Sequence, residues 1–229
     1  MPTGEAQHIR TFSGRIGVCH HWVVAEDAVG RLGADQGIVQ THLGREALGV
    51  GIFLALTVLT GLSARKQANP ILAALAVAAG LLTLLFTGMT YAPPSYPAIN
   101  NVLPFVFFLF TVCILGSGFG VYFTPESKRP MLTRILTVSL ITALVVYLIV
   151  PCVWLSGGTV MALTGKAWIG SWIYWLRIVV GLALPLAVLA KTRSIPLWLP
   201  FVLLAGELLG RIVFFSQTLH SAANMGGLY

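Results

Sequence analysis

The chain has 229 residues, of which 57% are hydrophobic and 9% charged, with a formal net charge of +7. A soluble domain carries about 25% charged residues, so this composition, with a mean hydropathy of +0.87, excludes an ordinary soluble domain and indicates an integral membrane protein. The excess positive charge excludes no partner by itself, but its placement, described below, argues against nucleic acid.

Residues 1–46 are mixed and Gly-rich and contain no apolar run long enough for a signal peptide or a span. Phe12, Ile16, Trp22 and Val23 share one face of a short interfacial helix, which Gly14 and Gly17 weaken. Cys19, His20 and His21 are metal-ligand types in one short cluster, and no metal site is assigned to them. Cys113 and Cys152 fall in apolar helices as small fillers, and the chain has no C-x-x-C spacing.

Six apolar runs follow, at 47–64, 70–90, 103–123, 132–153, 171–190 and 195–216. Each is near the ~20 residues that a helical span needs. They are continuous rather than alternating, which argues against a β-barrel. The expected fold is all-α: a six-helix transmembrane bundle over residues 47–229, preceded by an extramembrane segment, 1–46. Gly116, Gly118 and Gly120 allow close helix approach in the third run, and Pro151 and Pro185 bend the fourth and fifth. The segment from 154 to 175 reads as an outer loop, with Trp154, Trp168, Trp172 and Trp175 forming an aromatic belt. No internal repeat is visible.

The basic residues mark one side of the membrane. Arg65 and Lys66, Lys128, Arg129 and Arg134, and Lys191 and Arg193 lie in alternate loops, whereas 91–102 has no charge and 154–170 only Lys166. This positive-inside pattern places the basic loops in the cytoplasm and both termini on the outer side.

Polar groups within such spans are expensive, at roughly 2.5–3.5 kcal/mol per charge on insertion scales. Glu207 and Arg211 lie inside the last run, four residues apart and able to pair on one helix face. Under the assigned topology they fall in the outer half with Arg177, Glu46 and Tyr91, flanked by His42 and His220. Each has a plain reading as well. The Glu207–Arg211 pair fixes helix register, Arg177 snorkels outward, Glu46 caps its helix start, Tyr91 anchors at the interface, and the two histidines lie on the surface. No histidine lies within a run, so the bundle offers no axial pair for a b-type haem.

These residues carry a family likeness. Leu204-Ala-Gly-Glu-Leu-Leu-Gly-Arg-Ile-Val-Phe-Phe resembles the last-helix signature of the membrane anchor subunit of dimethyl sulfoxide reductase. Trp175-Leu-Arg-Ile-Val resembles the start of that family's preceding helix. Tyr91, Pro97, Pro104 and Phe108 resemble its middle loop, and Arg45-Glu46-Ala47-Leu48 the opening of its third helix. The likeness covers about residues 42–225. Family members usually have eight spans rather than six. Their His-Leu-Gly lies about twenty residues before the Arg-Glu, whereas here His42-Leu43-Gly44 directly precedes Arg45-Glu46.

The resemblance implies a haem-free, multi-pass subunit of the inner (cytoplasmic) membrane, without an iron–sulfur cluster of its own. It would oxidise menaquinol in anaerobic respiration. Its partners would be an iron–sulfur electron-transfer subunit and a molybdopterin catalytic subunit, besides the lipid bilayer. The acid at the Arg-Glu position is associated with quinol binding, which makes Glu46 the candidate proton acceptor. His42, Tyr91 and His220 would hydrogen-bond quinol oxygens, Arg177 would orient the ring, and Glu207 and Arg211 would give structural or electrostatic support. Two other functions fit the residues: an anchor that binds no quinol, and a small proton-coupled transporter.

Overall fold

The structure, a computed structural model, describes residues 42–64 and 69–222. The chain divides into two compact units, Met1–Arg45 and Glu46–Tyr229. The proposed interfacial helix with Phe12, Ile16, Trp22 and Val23, the Cys19-His20-His21 cluster and the Arg65–Lys66 pair lie outside the described residues.

The described chain is all-α. Helices α1 (His42–Ala64), α2 (Pro70–Thr90), α3 (Leu103–Gly120) and α4 (Arg129–Leu155) follow the first four apolar runs. A short helix α5 (Thr159–Gly170) precedes the fifth run, which is built as α6 (Trp172–Leu176), a π-helical turn (Arg177–Ala183) and α7 (Leu184–Thr192). Helix α8 (Leu199–Gln217) is the sixth. Among the described residues, six segments are long and apolar enough to cross a membrane, the architecture of a multi-pass membrane protein: Gly44–Ser63, Pro70–Thr90, Leu103–Gly120, Glu126–Leu155, Trp172–Thr192 and Leu199–Gln217.

Helix starts are written in the sequence. Pro70, Pro104 and Pro200 each occupy the first turn of their helix, where the missing N–H costs no hydrogen bond. The Asn69 side chain accepts from the Ile71 and Leu72 amides to cap α2. Within the helices, the hydroxyls of Thr57, Thr60, Thr83, Thr90, Thr133 and Thr142 donate to the carbonyl four residues back. That bond satisfies a hydroxyl in an apolar medium that offers no water.

The loops alternate between two ends. At one end the Tyr122 hydroxyl donates to the Leu197 carbonyl, joining the α3–α4 and α7–α8 connections. Lys128, Arg129, Lys191 and Arg193 belong to this end. At the opposite end the Ser221 amide donates to Ser95 O, the Leu219 amide to Thr164 Oγ1, and the Tyr96 ring meets His220 edge-on. The chain thus folds as an up-and-down bundle.

Two details differ from the sequence expectation. Residues 159–170 form a helix rather than a loop. It buries Thr164, Gly165 and Trp168 and leaves Lys166 exposed. Gly165 lies directly over α4, since a Cβ there would sit 2.8 Å from the Pro151 carbonyl oxygen. Consequently Trp154 and Trp168 are core residues, in edge-to-face contact at 5.0 Å, and only Trp172 and Trp175 have belt-like exposure. The apolar length of 159–170 is too short to span, so hydropathy alone did not separate it from a loop. Cys152, expected as a filler, is exposed on α4.

The prolines act differently from each other. Pro151 lies inside a continuous α4. Pro185 has no N–H to offer the carbonyl one turn back, and the chain meets it with the π-helical turn Arg177–Ala183. Against this turn packs α8. Gly181 and Gly206 face each other so closely that a Cβ on Gly181 would meet Gly206 Cα at 2.9 Å and Arg177 Nη1 at 2.7 Å. Gly118 of α3 likewise makes room for Leu203, whereas Gly116 faces open space. Gly206→Ala should therefore lower the unfolding free energy by about 1–3 kcal/mol, as overpacking does. Gly116→Ala should raise it by up to about 1 kcal/mol through helix entropy. Reversible unfolding in mixed detergent micelles measures both.

Candidate functional site

The fifth and sixth spans meet at a buried ion pair. Arg177 Nη2 donates to Glu207 Oε1 at 2.6 Å, with the two side chains 1% and 6% exposed. Sequence spacing pointed to Arg211 as the partner of Glu207, and to Arg177 as a snorkelling residue. The structure corrects both expectations. The π turn directs Arg177 inward, onto the glycine surface of Gly181 and Gly206, and Arg177 is fully buried. Its guanidinium also lies 5.2 Å from the Tyr147 ring centroid, a cation–π contact. Arg177 Nε and Nη1 are enclosed without an acceptor.

Arg211 joins the pair through a third helix. Its Nη2 donates to Thr111 Oγ1 at 2.6 Å, and the Thr111 hydroxyl donates to Glu207 Oε2 at 2.7 Å. The alternative acceptor of that hydroxyl, Phe107 O, is farther, at 3.1 Å. The carboxylate is the better acceptor because it is charged. The result is a chain, Arg211–Thr111–Glu207–Arg177, that ties α3, α8 and the π turn together. Both Glu207 oxygens are committed to it.

Arg211 also stacks on Phe108, with Cζ 3.9 Å from the ring centroid. Phe108 in turn packs on Tyr91, whose ring lies 5.5 Å from both Phe108 and Phe215. Beyond Tyr91 stands Glu46. Its Oε1 accepts from the Thr87 hydroxyl at 3.0 Å, and its Oε2 is buried with no hydrogen-bond partner among the described residues. Thr87 departs here from the back-bonding of its neighbours in order to serve the carboxylate. Helix α1 begins at His42, so Glu46 lies a turn inside it. The expected helix-capping role is replaced by this contact to α2. Burial pushes the Tyr91 hydroxyl above its usual pKa, Glu46 adds to the rise, and Arg211 opposes it. Tyr91 is therefore a neutral hydrogen-bond donor at physiological pH.

An apolar cavity of about 500 Å³ lies between α1, α2 and α3. Phe53, Leu54, Val77, Gly80, Thr87 and Phe108 contribute to its wall. Leu54, Val77 and Leu81 on it are also exposed on the lipid-facing surface, so the cavity is reached sideways from the bilayer. Thr87 and Phe108 connect it to the polar groups, the first through Glu46 and the second through Arg211.

Five of the seven residues singled out in the sequence thus fall on one line of contacts: Glu46, Tyr91, Arg211, Glu207 and Arg177. His220 stays at the same end of the bundle but on its surface, against Tyr96, with Nδ1 accepting the Ala222 amide. The His42 side chain lies outside the described residues. Thr87, Thr111 and Tyr147 were not read from the sequence, because a threonine or tyrosine in an apolar run carries no signal of a partner far along the chain. No protein-family model, curated protein or solved structure matches this chain.

The ion pair has a clear energetic signature. Removing one partner leaves a bare charge in a low-dielectric interior, which costs about 3–5 kcal/mol, whereas replacing both with apolar residues is often neutral. Glu207→Gln should destabilise the bundle by that amount. The double variant Arg177→Leu with Glu207→Leu should recover most of it, as measured by unfolding in mixed micelles.

Proposed function

We propose that this chain is the membrane anchor subunit of a molybdopterin oxidoreductase complex, which oxidises menaquinol and passes electrons to an iron–sulfur partner subunit. The observation that carries the reading is Glu46: one oxygen held by Thr87, which lines a lateral apolar cavity, and the other buried and without a partner among the described residues. A lipid-soluble quinol needs both features. Its chain requires an apolar path from the bilayer, and its ring hydroxyl requires a proton acceptor within hydrogen-bond reach.

The roles follow from the contacts. Thr87 holds Oε1 of the carboxylate and leaves Oε2 free to take a proton. Glu46 accepts the first proton. Tyr91, neutral and a donor, holds a ring oxygen. The Arg177–Glu207 pair, cross-linked by Thr111, fixes α3 and α8 behind Phe108 and keeps Arg211 in place. Electrons leave to the partner subunit implied by the family resemblance. His42 and His220 remain candidates for hydrogen bonding to the ring, His220 being the less favoured because it sits on Tyr96 at the surface.

Glu46→Gln should reduce oxidation of a menaquinol analogue by at least tenfold in membranes containing the assembled complex, and Thr87→Val should do so severalfold. Full turnover in Glu46→Gln would remove Glu46 from the mechanism and favour a quinol-free anchor. Sidedness is tested separately. In a cysteine-free background, a cysteine at Asn100 should react with a membrane-impermeant maleimide added outside, and one at Lys128 only after permeabilisation.

A further inference from the structure

Arg211 and Arg177 differ in what surrounds their unused N–H groups. Those of Arg177 are sealed against Gly181 and Gly206. Arg211 is only partly buried, donates one N–H to Thr111, and makes no other hydrogen bond among the described residues. A guanidinium has five N–H donors in a rigid fork, of which the bond to Thr111 engages one. Its base rests on Phe108, a residue of the cavity wall.

The local charges do not balance. Arg177 and Arg211 contribute two positive charges, and Glu207, with both oxygens already committed, contributes one negative charge. The next carboxylate, Glu46, is bonded to Thr87 on another pair of helices. One cationic fork is therefore held by Thr111 and stacked on Phe108, a ring of the cavity wall, and it forms no ion pair with a carboxylate among the described residues.

We propose that the site binds its aromatic headgroup as an anion, with the open N–H groups of Arg211 as the contact for a deprotonated ring oxygen. This rests on the quinol reading and deepens it by assigning the ionisation state that is oxidised. Glu46 takes one proton from the neutral quinol, leaving a quinolate monoanion whose negative oxygen Arg211 stabilises. The monoanion then gives two electrons, one at a time, to the iron–sulfur centre of the partner subunit. Once Glu46 has released the first proton to water, its carboxylate accepts the remaining one, and the neutral quinone leaves. An oriented cation stabilises such an oxyanion far more in a dry site than in water.

The test uses two probes with the full chain in lipid nanodiscs. One is a 3-alkyl-2-hydroxy-1,4-naphthoquinone, ionised at neutral pH; the other is its 2-methyl ether, which is neutral. Wild-type protein should bind the ionised probe at least tenfold more tightly than the ether. Arg211→Gln should bring that ratio close to one. Thr111→Val, which frees Arg211 from its tether, should lower it at least threefold, and it decides the matter if Arg211→Gln does not fold. Equal binding of the two probes by wild type, or a ratio that survives in the variants, overturns the proposal while leaving the quinol reading intact. Failure of both probes to bind overturns the quinol reading itself.

Discussion

A carboxylate and a guanidinium held together in an apolar bundle set the terms for the rest of this structure. Arg177 and Glu207 are both nearly inaccessible, and neither charge is tolerable alone at that depth. The fold satisfies them by geometry. The π turn before Pro185 directs Arg177 inward, and Gly181 and Gly206 make the space for its guanidinium. Tyr147 offers a ring face, and Thr111 takes up the second carboxylate oxygen. Four helical segments are thereby fixed relative to one another by a handful of atoms.

That fixed region forms one half of the candidate site, and a looser region forms the other. Helix α1 exposes most of its surface, with Leu54, Val58 and Leu62 all facing outward. It meets α2 along a narrow stripe that includes Gly49 against Thr83 and Phe53 against Gly80. The cavity lies where this peripheral hairpin meets α3. The cavity wall is apolar, and the polar groups reach it only through Thr87, bonded to Glu46, and Phe108, stacked under Arg211.

The two arginines illustrate how a single residue type is used in two ways. Arg177 is packed and paired, and its removal is a matter of stability. Arg211 is only partly buried, stacked on Phe108 and bonded to Thr111 rather than paired directly with a carboxylate among the described residues. Threonine shows the same division. Most threonines return their hydroxyl to the helix backbone, but Thr87 and Thr111 direct theirs to carboxylates on other helices. In each case the distinction lies in what neighbouring helices bring to the side chain.

The sequence alone determined the spans and the set of expensive polar groups. Hydropathy over about 20 residues is a local property, and so is the presence of Glu46, Arg177, Glu207 or Arg211 within such a stretch. Partner choice is not local. The spacing of Glu207 and Arg211 allowed an intrahelical pair, but the tertiary structure gave Glu207 to Arg177 because the π turn, invisible to an α-helical period, rotated Arg177 inward. Helix α5 was missed because it is too short to register as a span, and its burial comes from packing on α4. Thr87, Thr111 and the lateral cavity depend on helices distant along the chain. Which charges exist, and roughly how deep they lie, follows from composition along the chain; which of them touch follows only from how the helices pack.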